Sequence, residues 1–239
     1  MAPNIPSDAE RQKAYYSKTA GRYDEMHVNE KDEHFFTLSF MASILDHVGI
    51  GSILDIGSGT GRTIHYVNQR RPDVRILGIE PVAELREAGY ASGIPREALI
   101  DGDALSLPFG AGAFDLVCAF GVLHHVRTPD RVVAEMLRVG RKAIFISDAN
   151  NFGQGTMLAR AVKQVINALG LWKAADLIRT RGRGHTMSEG DGLAYSYSVF
   201  NNYKQIQDAC RAVHVLNSVG DGRNPYRRAG HVALLGIKP

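Results

Sequence analysis

Long apolar runs, cysteine and one-sided charge are all scarce in this chain, and each shortage removes a class of protein. No run reaches the ~18 apolar residues that a membrane-crossing helix needs, so insertion into a bilayer is not expected. The two cysteines, Cys118 and Cys210, stand far apart without metal-ligand spacing, which points to reduced thiols and not to a disulfide framework or a zinc site. A formal net charge of +3 is too mild to mark a nucleic-acid surface, because a solvated Lys/Arg face would look the same. Repeats, low-complexity tracts and long Gly/Pro/Ser linkers are missing too, so no independent domains are marked off. The opening Met1-Ala2-Pro3-Asn4-Ile5-Pro6 lacks the charged and apolar regions of a secretory signal, and a cytoplasmic placement is the expectation.

What is present is enough for one substantial core: 239 residues, 44% of them hydrophobic. The most telling stretch is Ile53-Leu54-Asp55-Ile56-Gly57-Ser58-Gly59-Thr60-Gly61, a short apolar strand that stops in a glycine loop. Glycines there permit positive φ and let a ligand approach backbone N–H groups that no Cβ shields. A helix from about Thr60 to Arg70 then aims its partly positive N-terminus at that ligand. The dinucleotide fingerprint G-x-G-x-x-G fails, because Arg62 stands where a third glycine is required, and starting at Gly59 fails at Ile64.

Further strands are expected over Val74 to Ile79, Ala98 to Ile100 and Phe114 to Phe120, ending respectively at Glu80, at Asp101-Gly102-Asp103-Ala104, and at Gly121 before Val122-Leu123-His124-His125-Val126. With its acidic-x-G-x-G-x-G loop and the acids Glu80 and Asp103, the segment from Ser52 to Asp148 resembles the class I S-adenosylmethionine-dependent methyltransferase family. The resemblance implies a Rossmann-like, doubly wound α/β fold with a seven-stranded sheet whose last strand is antiparallel, and S-adenosylmethionine as cofactor, leaving as S-adenosylhomocysteine. It implies that Glu80 holds both ribose hydroxyls and that Asp103 accepts the adenine amino group, with Asp101 as the alternative. Asp55 would organise the methionine end, and Gly57, Ser58, Gly59, Pro81, Ala104 and Phe120 would lie beside the cofactor. Ala20-Gly21-Arg22-Tyr23-Asp24 resembles the family's lid, which puts Tyr23 over the pocket. The family's usual Lys-Pro-Gly-Gly before strand five is replaced by Arg138-Val139-Gly140-Arg141-Lys142, implying a tighter turn.

Each assignment has a plainer competitor. Glu80 before Pro81 suits a helix N-cap, and Asp55 suits loop closure by bonding nearby N–H groups. The rings of Tyr15, Tyr16, Tyr23, Phe35, Phe36 and Phe40 would attract a sulfonium or simply pack helices.

The chain divides into an N-terminal lid or cap (1–50), a cofactor-binding core (51–148), an insertion (149–200) and a C-terminal helix with two strands (201–239). Strand five is expected over Ala143 to Ser147, a helix over Asn202 to Arg211, and closing strands over Val213 to Val219 and His231 to Ile237. The insertion is longer than usual α/β connections. Helical spacing of Leu158, Ala161, Val162, Val165, Ile166 and Leu169 makes Met157 to Leu169 a folded helix, expected to form half of a substrate cap. Beyond it, the Gly-, Arg- and Tyr-rich run from Arg179 to Ser198 reads either as a binding loop or as a mobile solvated one. Tyr16, His185, Tyr195 and Tyr197 are the candidates for substrate contact.

Methyl transfer to a hydroxyl needs a base, and imidazole suits that work near neutral pH. His124 and His125 are the candidates, with Asp148 placed to orient an imidazole; packing or capping is the competing role. Asp148, Asn150 and Asn151 would offer oxygens to a metal, but no carboxylate follows strand four, so no metal is expected. The expected partner is a small-molecule acceptor of polar or anionic character, methylated on oxygen, with nitrogen or carbon as alternatives. A nucleic-acid methyltransferase is disfavoured because Asn224-Pro225-Tyr226 sits between the last two strands and not after strand four. A non-catalytic cofactor-binding module would carry the same glycines and acids.

Overall fold

The computed structural model describes residues 6–28, 31–219 and 224–239; Met1 to Ile5, from which the absence of a secretory signal was read, lie outside the described residues. Four helices come first: α1 (Asp8–Thr19), α2 (Tyr23–His27), α3 (Glu33–Ser43) and α4 (Leu45–Val48). The alternating core follows as β1 (Ser52–Ile56), α5 (Arg62–Arg70), β2 (Arg75–Ile79), α6 (Ala83–Ala91), β3 (Leu99–Ile100), β4 (Phe114–Phe120), α7 (Pro129–Val139) and β5 (Gly140–Ala149). The insertion holds α8 (Met157–Ala168), α9 (Trp172–Arg179) and a hairpin of β6 (His185–Ser188) and β7 (Gly192–Tyr195). The chain closes with α10 (Tyr203–Ala209), β8 (Ala212–Asn217), α11 (Pro225–Arg228) and β9 (His231–Ile237).

Seven strands form one sheet in the order β3-β2-β1-β4-β5-β9-β8, with β9 antiparallel to both of its neighbours. The fold class is the one the sequence implies. Side chains alternate between two cores, as the period of two along a strand requires. Leu54, Ile56, Val117, Ala119, Ile144 and Ile146 face the layer built around α7 and α10. Ile53, Leu116, Cys118 and Phe145 face the layer of α3, α4 and α5. Helix α7 shows how local sequence sets this up. Pro129 occupies its first turn, where a missing N–H costs nothing, and Val132, Val133, Met136 and Val139 make one buried stripe. It runs directly into β5 at Gly140, so the connection is even tighter than expected.

Parallel strands leave their carboxyl ends at one edge, where the order reverses between β1 and β4. The glycine loop after β1, Glu80 after β2, Asp103 after β3, the His124-His125 turn after β4 and Asp148 at the end of β5 all collect there. Helix α1, closed at its start by a reciprocal capping box between Ser7 and Glu10, is anchored over this edge by Tyr195 Oη donating to Asp8 at 2.6 Å.

Two readings of the insertion need correction. Helix α8 forms where expected, but it does not cap the cavity: its polar residues face the protein and its apolar residues face outward. The segment from His185 to Tyr195 is a β-hairpin, and it is this hairpin, with α1, that covers the edge of the sheet. Asn224 caps α11 and Pro225 opens it, while Tyr226 Oη accepts from Asn167, so the Asn-Pro-Tyr run has a structural role.

Candidate active site

Gly57, Gly59 and Gly61 have φ of 65°, 57° and 90°, so the loop turns through the left-handed region that other residues rarely occupy. A Cβ on Gly57 would sit 2.6 Å from Val122, and one on Gly59 would sit 2.7 Å from the Tyr23 hydroxyl. The loop is therefore clamped between the turn after β4 and helix α2. Asp24 ties α2 down further by accepting from the Thr60 hydroxyl at 2.5 Å.

Beside the loop opens a cavity of about 560 Å³, within the range usual for small-molecule sites. Glu80, buried at its floor, accepts from the Gly59 N–H through Oε2 and from the Val82 N–H through Oε1, both at 3.0 Å. Each carboxylate oxygen keeps a second lone pair for a ligand hydroxyl. Burial pushes this carboxyl up to about 7, against the opposing pull of those two N–H donors. Asp103 lines the same cavity and accepts from the Leu105 N–H at 2.8 Å. Asp101 does not line it and pairs with Arg86 at 2.7 Å. Pro81, Ala104 and Phe120 lie on the walls.

At the far wall stand Tyr16 of α1 and His125. The His125 Nδ1 lies 2.6 Å from the Leu193 carbonyl, which can only accept, and 3.0 Å from Gln12 Nε2, while its Nε2 lies 3.0 Å from the Tyr16 hydroxyl. Asp191, from the β6–β7 turn, places Oδ1 3.4 Å from that same Nε2. Gln12 braces the hairpin by accepting from the Leu193 N–H at 2.6 Å.

His124 turns away from the cavity. Its Nδ1 bonds Asp148 Oδ1 at 2.6 Å and its Nε2 lies 3.3 Å from Asp191 Oδ2. The second Asp148 oxygen accepts from the Leu123 N–H at 2.7 Å, so one buried carboxylate holds the whole turn. Burial opposes a charge on His124, but Asp148 and Asp191 outweigh it and raise the imidazole to about 10. Asp148 is correspondingly lowered to about 2, burial being overcome by the His124 charge. Asp191 is lowered as well, burial again being outweighed by bonds to both histidines.

Residues 54–145 match the sequence profile of a family described as a methyltransferase domain. This core is similar to the class I S-adenosylmethionine-dependent methyltransferases. The relatives include a malonyl-[acyl-carrier protein] O-methyltransferase of Laribacter hongkongensis, 27% identical over 153 residues, covering 59% of this chain and 50% of the relative. A phosphatidylethanolamine N-methyltransferase of Cereibacter sphaeroides is 33% identical over 121 residues, covering 48% of this chain and 58% of the relative. The chain thus spans about half the length of these curated relatives. Among solved structures, magnesium protoporphyrin IX methyltransferase from Synechocystis PCC 6803, with bound S-adenosylhomocysteine, has a TM-score of 0.60 at 14% identity, covering 98% of this chain and 100% of that one. The plantazolicin methyltransferase BamL has a TM-score of 0.53 at 21% identity, covering 97% and 96%. Both likenesses concern the fold.

Within this methyltransferase core the expected residues separate clearly. Gly57, Glu80, Pro81, Asp103, Ala104, Phe120, Tyr23, Tyr16, His125 and Tyr195 border the large cavity. Asp55 and Ser58 lie behind the loop beside a small polar pocket, where the Ser58 hydroxyl donates to the Asp55 carboxylate at 2.6 Å and burial raises that carboxyl. Gly59 faces Tyr23, with its N–H used by Glu80.

Two substrate candidates do not line the cavity. Tyr197 is a core residue whose hydroxyl donates to Asn202 at 2.9 Å, and His185 is buried behind the wall, 3.6 Å from Asp8, which does line it. Of the six N-terminal rings only Tyr16 and Tyr23 reach the cavity, packed edge to face at 5.8 Å between centroids. Sequence reasoning missed Asp191 and Gln12. Asp191 had one available signal, an acid amid glycines in Glu189-Gly190-Asp191-Gly192, which also describes any turn.

Proposed function

We propose that this chain transfers a methyl group from S-adenosylmethionine to a hydroxyl of a small-molecule acceptor, releasing S-adenosylhomocysteine. The supporting observation is the 3.0 Å contact of the Tyr16 hydroxyl with His125 Nε2, on a wall of the cavity that Glu80 and Asp103 also line. The cavity fits the cofactor: a buried carboxylate with free lone pairs suits ribose hydroxyls, and Asp103 suits the adenine amino group. Gly57, with Tyr23 above it and Asp55 behind, would hold the amino-acid end. The donor, when bound, supplies a methyl already activated on a sulfonium.

The protein's own share is alignment, exclusion of water and removal of one proton. With Nδ1–H committed to Leu193, His125 Nε2 is the base that takes the acceptor's hydroxyl proton, directly or through Tyr16. Asp191 then stabilises the imidazolium across 3.4 Å. His124 plays a different part. Raised to about 10, it is already protonated at neutral pH and acts with Asp148 to position the turn that presents His125.

Labelled-methyl transfer to a panel of hydroxyl and amine acceptors, with total RNA alongside, tests this reading. The expected product is a methyl ether whose formation His125→Asn suppresses. Methylation confined to amines or RNA, indifferent to His125→Asn, would refute it.

A further inference from the structure

Helix α8 is mounted with its polar side inward. Lys163 Nζ donates to the carbonyls of Asn151 and Gln154, Gln164 Nε2 donates to those of Phe152 and Arg227, and Asn167 Nδ2 donates to the Tyr226 hydroxyl. The opposite stripe, Leu158, Val162, Val165 and Leu169, points to solvent, with Leu158 75% exposed. An amphipathic helix ordinarily buries that stripe, and a stable inward hydrogen-bond network shows that this orientation is specified. Helix α9 continues the surface through Leu171, Leu177 and Ile178, the last 80% exposed, and neither helix contains one buried residue. Apolar patches of this extent mark interaction sites.

Charge decides what would cover it. Residues 156–184 hold six of the chain's lysines and arginines against one acid, Asp176, whereas the whole chain carries a net charge of only +3. The remainder of the molecule is therefore slightly acidic, and positive charge is concentrated on this helical pair. Among the described residues Arg160, Lys173, Arg181 and Arg183 make no ion pair with an acid, and Asp176 is taken by Arg179 at 2.7 Å. A second copy of the same face would bring like charges together across a two-fold axis. An anionic bilayer offers both an apolar interior for the leucines and valines and negative headgroups for the arginines.

We propose that α8 and α9 dock this protein peripherally on an anionic phospholipid surface. No described helix is long and apolar enough to cross a membrane, so the association is interfacial. It also lies close to the site: Arg179 and Asp176 of α9 bond Ser196, next to Tyr195 on the cavity wall.

Flotation of the full chain with phosphatidylcholine vesicles, with and without about one third phosphatidylglycerol, tests the proposal. The expected result is flotation with the anionic vesicles only, reversed by high salt. Leu158→Glu/Val165→Glu should abolish flotation, and Arg181→Glu/Arg183→Glu should weaken it by about 30-fold or more. Both variants should keep normal S-adenosylhomocysteine binding, which reports on the fold. Failure to float with anionic vesicles at low salt would overturn the proposal. So would flotation unaffected by either variant, or a wild-type dimer that Leu158→Glu/Val165→Glu dissociates.

Discussion

The Nδ1 of His124 lies 2.6 Å from Oδ1 of Asp148, a fully buried carboxylate at the end of strand β5. Because the other oxygen holds the Leu123 N–H, this pair fixes the backbone turn on which His125 is carried. Asp148→Asn removes the nearer of the two counter-charges on the buried His124, leaving Asp191 at 3.3 Å, and should lower unfolding free energy by about 3 kcal/mol, read by urea titration. The pH dependence follows from the raised imidazole. Its folded pKa, about 10, exceeds the unfolded 6.5, so the stabilisation is complete below pH 6.5 and is lost as pH rises through 10. Thermal midpoints of the wild type should fall across that window, and those of His124→Gln should fall less.

His125 and Tyr16 act as one unit in this account. His125→Ala should reduce single-turnover methyl transfer by about 10²-fold or more, with little change in cofactor affinity. Tyr16→Phe keeps the ring and removes the hydroxyl that donates to Nε2, so it should lower the rate less and shift the pH profile. Equal rates in wild type and His125→Ala would remove the base assignment.

Glu80 makes cofactor affinity depend on pH. Burial raises its carboxyl from 4.5 to about 7 in the folded protein, so ionising it opposes folding as pH rises through that interval. Ligand hydroxyls favour the ionised form, and S-adenosylhomocysteine should therefore bind more tightly as pH rises through 7. Glu80→Gln should bind weakly and without that dependence, as calorimetry at several pH values would show.

His124, His125 and Asp191 each bring one donor atom within 4.8 Å of the others, a spacing a divalent cation could exploit. A protonated His124 cannot ligate, and its proton is held by two carboxylates. Exhaustive chelation should leave turnover unchanged, and loss of activity restored by one added metal would reverse this assignment.

The sheet and the cofactor edge were legible because their signals are local. Glycines at Gly57, Gly59 and Gly61 are demanded by positive φ, and Glu80 and Asp103 each follow a strand whose apolar run announces it. The remaining features depend on relations between distant segments. Periodicity in α8 revealed an apolar stripe but not the direction in which Lys163, Gln164 and Asn167 would turn it. Tyr195 and Tyr197 look equivalent by alternation, yet the Tyr197 N–H donates to the Tyr195 carbonyl at 2.8 Å, and this turn sends one ring to the cavity and the other to the core. Asp191 reaches both histidines only because Gln12 and Leu193 hold the hairpin against α1.

The cavity beside the glycine loop is where the cofactor must bind for methyl transfer to occur. Calorimetric titration of the full chain with S-adenosylhomocysteine, in parallel with Glu80→Ala and Asp103→Ala, tests it most directly. One site per chain with micromolar or tighter affinity, lost in Glu80→Ala and weakened in Asp103→Ala, is the predicted result. Absence of heat with the wild type, or equal binding by all three proteins, would contradict it.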